Sequence, residues 1–112
     1  MCSAKDEERL RIVEFRRLLD NQNAARVRFD VERGRVLGFL VQLECLIEDE
    51  WHPVVRYDTA HGFAHRDVMH PASDTEKTEM AVEDHNEALT FAINDLSENW
   101  ETYRRRYERW LR

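Results

Sequence analysis

Seven apolar or aromatic residues, Leu89, Ile93, Leu96, Trp100, Tyr103, Tyr107 and Trp110, recur at steps of four, three, four, three, four and three. That rhythm keeps one stripe of a helix apolar and cannot be displayed by a strand, whose side chains change face at every residue. Asp84 and Glu87 form an Asp-x-x-Glu capping box just upstream, so the pattern predicts a helix from His85 to Leu111. At 1.5 Å per residue such a helix is roughly 40 Å long, longer than a four-stranded sheet is wide at roughly 4.8 Å per strand. Its C-terminal half is therefore expected to overhang. Acids dominate its first half and Arg104, Arg105, Arg106, Arg109 and Arg112 its end, which complements the helix dipole. The overhanging Trp100, Tyr103, Tyr107 and Trp110 then need cover. Either Phe15 and Leu19 supply it, or a second copy does; the expectation is an antiparallel homodimer through that stripe, each basic end beside an acidic half.

The remaining segments read as strands and one further helix. Ser3, followed by Asp6, Glu7 and Glu8, resembles a helix start. A short N-terminal helix from Lys5 to Leu19 would align Ile12, Phe15, Leu18 and Leu19 and end at Asp20-Asn21-Gln22-Asn23. From Ala25 the period becomes two, with Val27, Phe29 and Val31 alternating with Arg26, Arg28, Asp30 and Glu32. Arg33-Gly34 turns the chain into a run from Val36 to Ile47, long enough to be the central strand. After the charged turn Glu48-Asp49-Glu50, the stretches Trp51–Thr59 and Phe63–His70 form a second hairpin around Ala60-His61-Gly62, and Thr75 to Met80 adds a short edge strand. The expected architecture is α+β: an antiparallel sheet of four or five strands, a short N-terminal helix, and one long C-terminal helix packed on the sheet.

With 112 residues, 42% of them hydrophobic, one domain spanning 1–112 and one core are expected. Charged residues make up 36% and the net charge is -6, so a nucleic-acid role would need a local basic patch. Cys2 and Cys45 lack metal-ligand spacing and suit a reducing compartment. No apolar run approaches the roughly 18 residues of a membrane span, and the polar start is unlike a signal peptide. A cytoplasmic protein with no membrane partner is the expectation.

The chemistry is concentrated between Arg56 and His70, which hold three of the five histidines. If Thr59 to Gly62 is a four-residue loop, Asp58 pairs with Phe63 and Arg56 with His65, and Arg56, Asp58, His65 and Asp67 share one face. Tyr57, Ala64, Arg66 and Val68 would take the other. A slip of one residue would destroy that grouping. Three readings follow. In metal-independent RNA cleavage, His61 and His65 are the acid/base pair, Arg56 or Arg66 the phosphate clamp, Asp58 the group that orients a histidine, and Tyr57 a stacking or phosphate-bonding residue. In a metal site, His61, His65 and Asp58, with His70 or Asp67, supply nitrogen and oxygen ligands to zinc, manganese or iron. In the third reading the charged groups are salt-bridged strand ends with a structural role.

The string R-Y-D-x-x-H-G-x-x-H-x-D over Arg56 to Asp67 resembles the core of a family of small uncharacterised prokaryotic proteins. The helical pattern Asn86-Glu87-Ala88-Leu89-Thr90-Phe91, followed by Asn99-Trp100, extends the likeness. More distantly, the Arg-Tyr-Asp step with histidines close behind is similar to TumE-type toxins of toxin–antitoxin pairs. That resemblance implies a toxin-like endoribonuclease acting on RNA without a cofactor, an antitoxin partner, and Arg56, Tyr57, Asp58, His61 and His65 as the residues carried over. The histidine–lysine–histidine cluster of those toxins has no counterpart here.

Overall fold

A computed structural model describes residues 9–82 and 84–112. Six antiparallel strands follow one another in sheet order: β1 (Arg11–Asp20), β2 (Asn23–Glu32), β3 (Arg35–Ile47), β4 (Glu50–Asp58), β5 (His65–Val68) and β6 (Glu76–Glu79). A long helix, α1 (His85–Leu111), covers one face. The α+β class and the long helix match the expectation, whereas the sheet has six strands rather than four or five.

The additional strand is β1, where a helix was expected. Residues 5–8 of that expected helix lie outside the described residues, but Arg11–Asp20 pairs with β2 from Arg11↔Val31 to Asp20↔Asn23. The turn explains why. Asp20 Oδ1 accepts from Gln22 N at 2.7 Å and from Asn23 Nδ2 at 2.8 Å, so the polar residues that read as a helix stop instead close a hairpin. The Arg33-Gly34 and Glu48-Asp49 turns have positive φ at both central residues (51° and 79°, 53° and 66°), the geometry that matches strand twist.

Every second residue of β3 faces the helix: Phe39, Val41, Leu43, Cys45 and Ile47 are buried. They meet Val27 of β2, Val55 and Tyr57 of β4, and Ala88, Leu89, Ala92, Leu96, Tyr103 and Tyr107 of α1. Asp84 caps the helix by accepting from Asn86 N at 2.8 Å. Asn86 itself accepts from Val36 N and donates to Gly34 O, both at 2.9 Å, fastening the helix start to the β2–β3 turn.

The expected overhang is absent, because α1 runs along β3 rather than across the sheet. Its start lies at Val36 and Phe39, while Arg104 near its end donates to Leu46 O at 3.0 Å and Asn23 Oδ1 at 2.9 Å. Thirteen residues of extended chain span about 44 Å, comparable with the helix. Tyr103 and Tyr107 are consequently buried within one copy, and Trp100 and Trp110 are half-buried. No helix among the described residues is long and apolar enough to cross a membrane.

Candidate functional site

The sheet face opposite α1 carries the polar cluster. β4 and β5 pair Asp58↔His65, Arg56↔Asp67, Tyr57↔Arg66 and Val55↔Val68. The expected register set Asp58 against Phe63, so the observed pairing is displaced by two residues. The connection is longer than four residues, running through Thr59 and a single 3₁₀ turn, Ala60–Gly62, before Phe63 and Ala64. Gly62 takes φ 88° there, a conformation that costs glycine little. Two residues is one full period of a strand, so Arg56, Asp58, His65 and Asp67 still share a face. Thr59 holds the loop down by accepting from Phe39 N at 3.0 Å, over Gly38, where a Cβ would lie 3.1 Å from Thr59 Oγ1.

His65 is the centre of the cluster and is 1% exposed. Its Nε2 lies 2.8 Å from Asp58 Oδ1 and 3.8 Å from Asp67 Oδ1. Nδ1 lies 3.4 Å from Phe63 O. From β6, opposite Asp67 in the register, Lys77 brings Nζ to 3.4 Å from His65 Nε2 and 3.3 Å from Asp67 Oδ1. Asp67 Oδ1 is buried yet accepts no hydrogen bond among the described residues; the Lys77 contact is an ion pair without hydrogen-bond alignment. One ligand atom each from Asp58, His65 and Asp67 falls within 4.8 Å of the others, the grouping a small cation needs.

Arg56, opposite Asp67 in the register, begins a chain of polar contacts across the sheet. Its Nε donates to Gln42 Oε1 at 2.9 Å, and Gln42 Nε2 donates to Glu44 Oε2 at 2.9 Å. Glu44 also accepts from Arg26 Nε at 2.9 Å and from Arg16 Nε at 3.2 Å. Burial pushes the Glu44 carboxyl up, but the bonds from Arg26, Gln42 and Arg16 outweigh it and hold the group below its ordinary range. Arg16 also stacks 4.4 Å above the Trp51 ring. Residues 9–35 contain eight arginines against four acids, a local basic region in a chain whose net charge is -6.

Tyr57 and Arg66 do not belong to this site. Strand alternation turns them to the helix side, where Tyr57 OH donates to Asp95 Oδ2 at 2.7 Å and Tyr103 OH donates to the same oxygen at 2.6 Å. Asn99 Nδ2 donates to Asp95 Oδ1 at 2.8 Å, and Arg66 Nη1 reaches Tyr103 OH at 3.4 Å. Burial, then the Asp95 carboxylate, push both phenols above their ordinary range, Tyr57 well above it. His70 also departs from the expected ligand set: it stacks on Trp110 with ring centres 4.1 Å apart. His61 contributes its backbone to the 3₁₀ turn, and its side chain lies outside the described residues.

Sequence reasoning missed Lys77, Asp95, Asn99 and Tyr103 as members of polar clusters. Asp95, Asn99 and Tyr103 recur at steps of four, one helix face beside the apolar stripe, a signal present in the sequence. Lys77 left no such trace, because its relation to His65 exists only through the pairing of β5 with β6.

A family model described as a domain of unknown function, DUF7718, matches residues 4–112. The chain belongs to that family. No curated protein and no solved structure matches it. The DUF7718 match covers all six strands and α1, so the Asp58–His65–Asp67 cluster lies inside the family's domain.

Proposed function

We propose that Asp58, His65 and Asp67 bind one divalent transition metal on the sheet face opposite α1, and that the arginines of β1 and β2 bring a phosphate-bearing ligand towards it. The observation that carries this reading is the convergence of three ligand atoms within 4.8 Å around a buried Asp67 oxygen that accepts no hydrogen bond among the described residues. One imidazole and two carboxylates suit zinc, manganese or iron(II). Lys77, whose side chain is 55% exposed, holds positive charge at the mouth of the cluster and would swing outward as the metal enters. The metal would act as a Lewis acid on a phosphoryl oxygen, and Arg56 would hold the phosphate.

Metal content measured on untagged protein tests this. About one equivalent of metal is expected, falling to none in Asp67→Ala and His65→Ala while both variants keep the wild-type circular dichroism spectrum. Protein that takes up no zinc, manganese or iron(II) at micromolar concentrations overturns the reading.

A second reading rests on the 2.8 Å contact between His65 and Asp58. In it the protein is a toxin-like endoribonuclease that needs no metal. His65 and His61 exchange protons with the leaving 5′-oxygen and the attacking 2′-hydroxyl, Asp58 orients His65, and Lys77 and Arg56 balance charge on the phosphorane. RNA cleavage that survives chelation and disappears in His65→Ala selects this reading over the first.

A further inference from the structure

We propose that β1 is an interface at which two copies of the protein join edge to edge in one continuous sheet. β1 is the outer strand of the sheet and ten residues long, and among the described residues nothing pairs with its free edge. Such an edge offers a row of unsatisfied N–H and C=O groups, which many proteins blunt with short strands, bulges or charges. β1 is irregular only between Leu18 and Asp20, and its charged residues, Arg11, Glu14, Arg16, Arg17 and Asp20, are of both signs, so a partner strand can match them. Here Leu10, Ile12 and Leu18 are 55%, 58% and 63% exposed. Isolated exposed apolar residues are ordinary, but Ile12 and Leu18 lie on this edge strand and Leu10 immediately precedes it.

The strand's own sequence specifies the partner. A two-fold axis normal to the sheet pairs only residues that share a face, which leaves few registers. Centred on Phe15, the pairing sets Phe15 against Phe15, Glu14 against Arg16 on both sides of the axis, and Ile12 against Leu18 beyond them. Opposite charges and apolar pairs directly across strands are the stabilising combinations. Centring on Glu14 instead sets Glu14 against itself and Arg11 against Arg17; centring on Arg16 sets Arg16 against itself. Glu44 engages Arg16 through Nε, and a guanidinium has further N–H donors for a Glu14 from the second copy. The joined sheet would carry the basic strips of both copies side by side. This pairing is independent of any metal at His65.

Light scattering on the full chain at about 50 µM is the first test, and a dimer is expected. Glu14→Arg and Arg16→Glu should each be monomeric with melting curves that remain cooperative, since each creates like-charged pairs across the axis. Mixed in equal amounts they should recover a dimer, because the first variant is basic at positions 14 and 16, the second is acidic at both, and every pair across the axis is again of opposite charge. In a Cys2→Ser background, Phe15→Cys should cross-link copies under mild oxidation, whereas Val13→Cys, opposite Arg17, should not. A monomeric wild type overturns the proposal. So does a dimer that survives both charge reversals, or one that cross-links through position 13.

Discussion

Arg104 is the residue whose removal should most loosen the helix from the sheet. Its guanidinium donates to Asn23 Oδ1 at 2.9 Å, to Leu46 O at 3.0 Å and, more weakly, to Gln22 O at 3.4 Å, so one side chain ties α1 to β2, to β3 and to the β1–β2 turn. Its Nε also meets Glu108 at 3.2 Å, one turn along the helix. A hydrogen bond from a charged donor is worth about 1.5–3 kcal/mol, and an acceptor left without a partner adds its own penalty. The i,i+4 pair with Glu108 contributes only about 0.3–0.5 kcal/mol. Because the side chain is 16% exposed, water can repair part of the damage, and the two short bonds dominate. Arg104→Ala should therefore cost about 3 kcal/mol. With a sensitivity of about 4–8 °C per kcal/mol for domains slightly smaller than this one, the melting temperature should fall by about 10–20 °C. Urea titration followed by tryptophan fluorescence gives the free energy, with Arg105→Ala as the exposed control. Arg104→Lys should restore less than half, since one ammonium cannot span both acceptors. A loss below about 1 kcal/mol, or one equal to that of Arg105→Ala, refutes the argument.

Other expectations concern titration and reactivity. Tyr57 and Tyr103 bind their protons more tightly folded than unfolded, where the ordinary value is 10.0, so their stabilisation is complete below that pH and lost above it. Stability should decline as pH rises past about 10, with a shallower slope in Tyr57→Phe, measured by urea titration at stepped pH. Glu44 is the opposite case: its folded carboxyl lies below the ordinary 4.5, so its contribution is complete above that value and lost as pH falls through the folded one. Glu44→Gln should flatten the acid limb and cost about 1–3 kcal/mol at pH 7, because Arg16 and Arg26 lose their charged partner. Cys45 is fully buried and its thiol is pushed up to about 12 by burial. In a Cys2→Ser protein it should resist a chromogenic disulfide reagent until denaturant is added; rapid labelling of the folded protein would contradict that burial.

Legibility in the sequence followed how local each determinant is. The helix from His85 to Leu111 was readable to the residue because its cap, Asp84, and its apolar stripe are both local to the segment; the cap bond goes to Asn86 N. The strands β2 and β3 were readable from alternation, since one face of each meets α1. β1 was misread because neither of its faces is buried: Ile12 and Leu18 fall on one side, Phe15 and Leu19 on the other, and that scatter imitates helical spacing. Its identity comes from pairing with β2, a tertiary cause that overrides local pattern. The polar grouping on β4 and β5 was legible despite a wrong loop length, because an error of two residues preserves the face of every side chain. Tyr57 and Arg66 stand beside the site residues in sequence and behind them in space, which strand parity explains and a motif string hides.

The order of the meander has a consequence for how the chain is made. Each strand pairs with its immediate predecessor, so the sheet can assemble progressively from short-range contacts as residues emerge during synthesis. The helix that shields its oily side is translated after all six strands, and Tyr103 and Tyr107 reach their places only with its final turns. Until then a nascent sheet presents Val41, Leu43 and Val55 bare to its surroundings, so a stalled or truncated product should be the form that holdase chaperones capture and proteases clear.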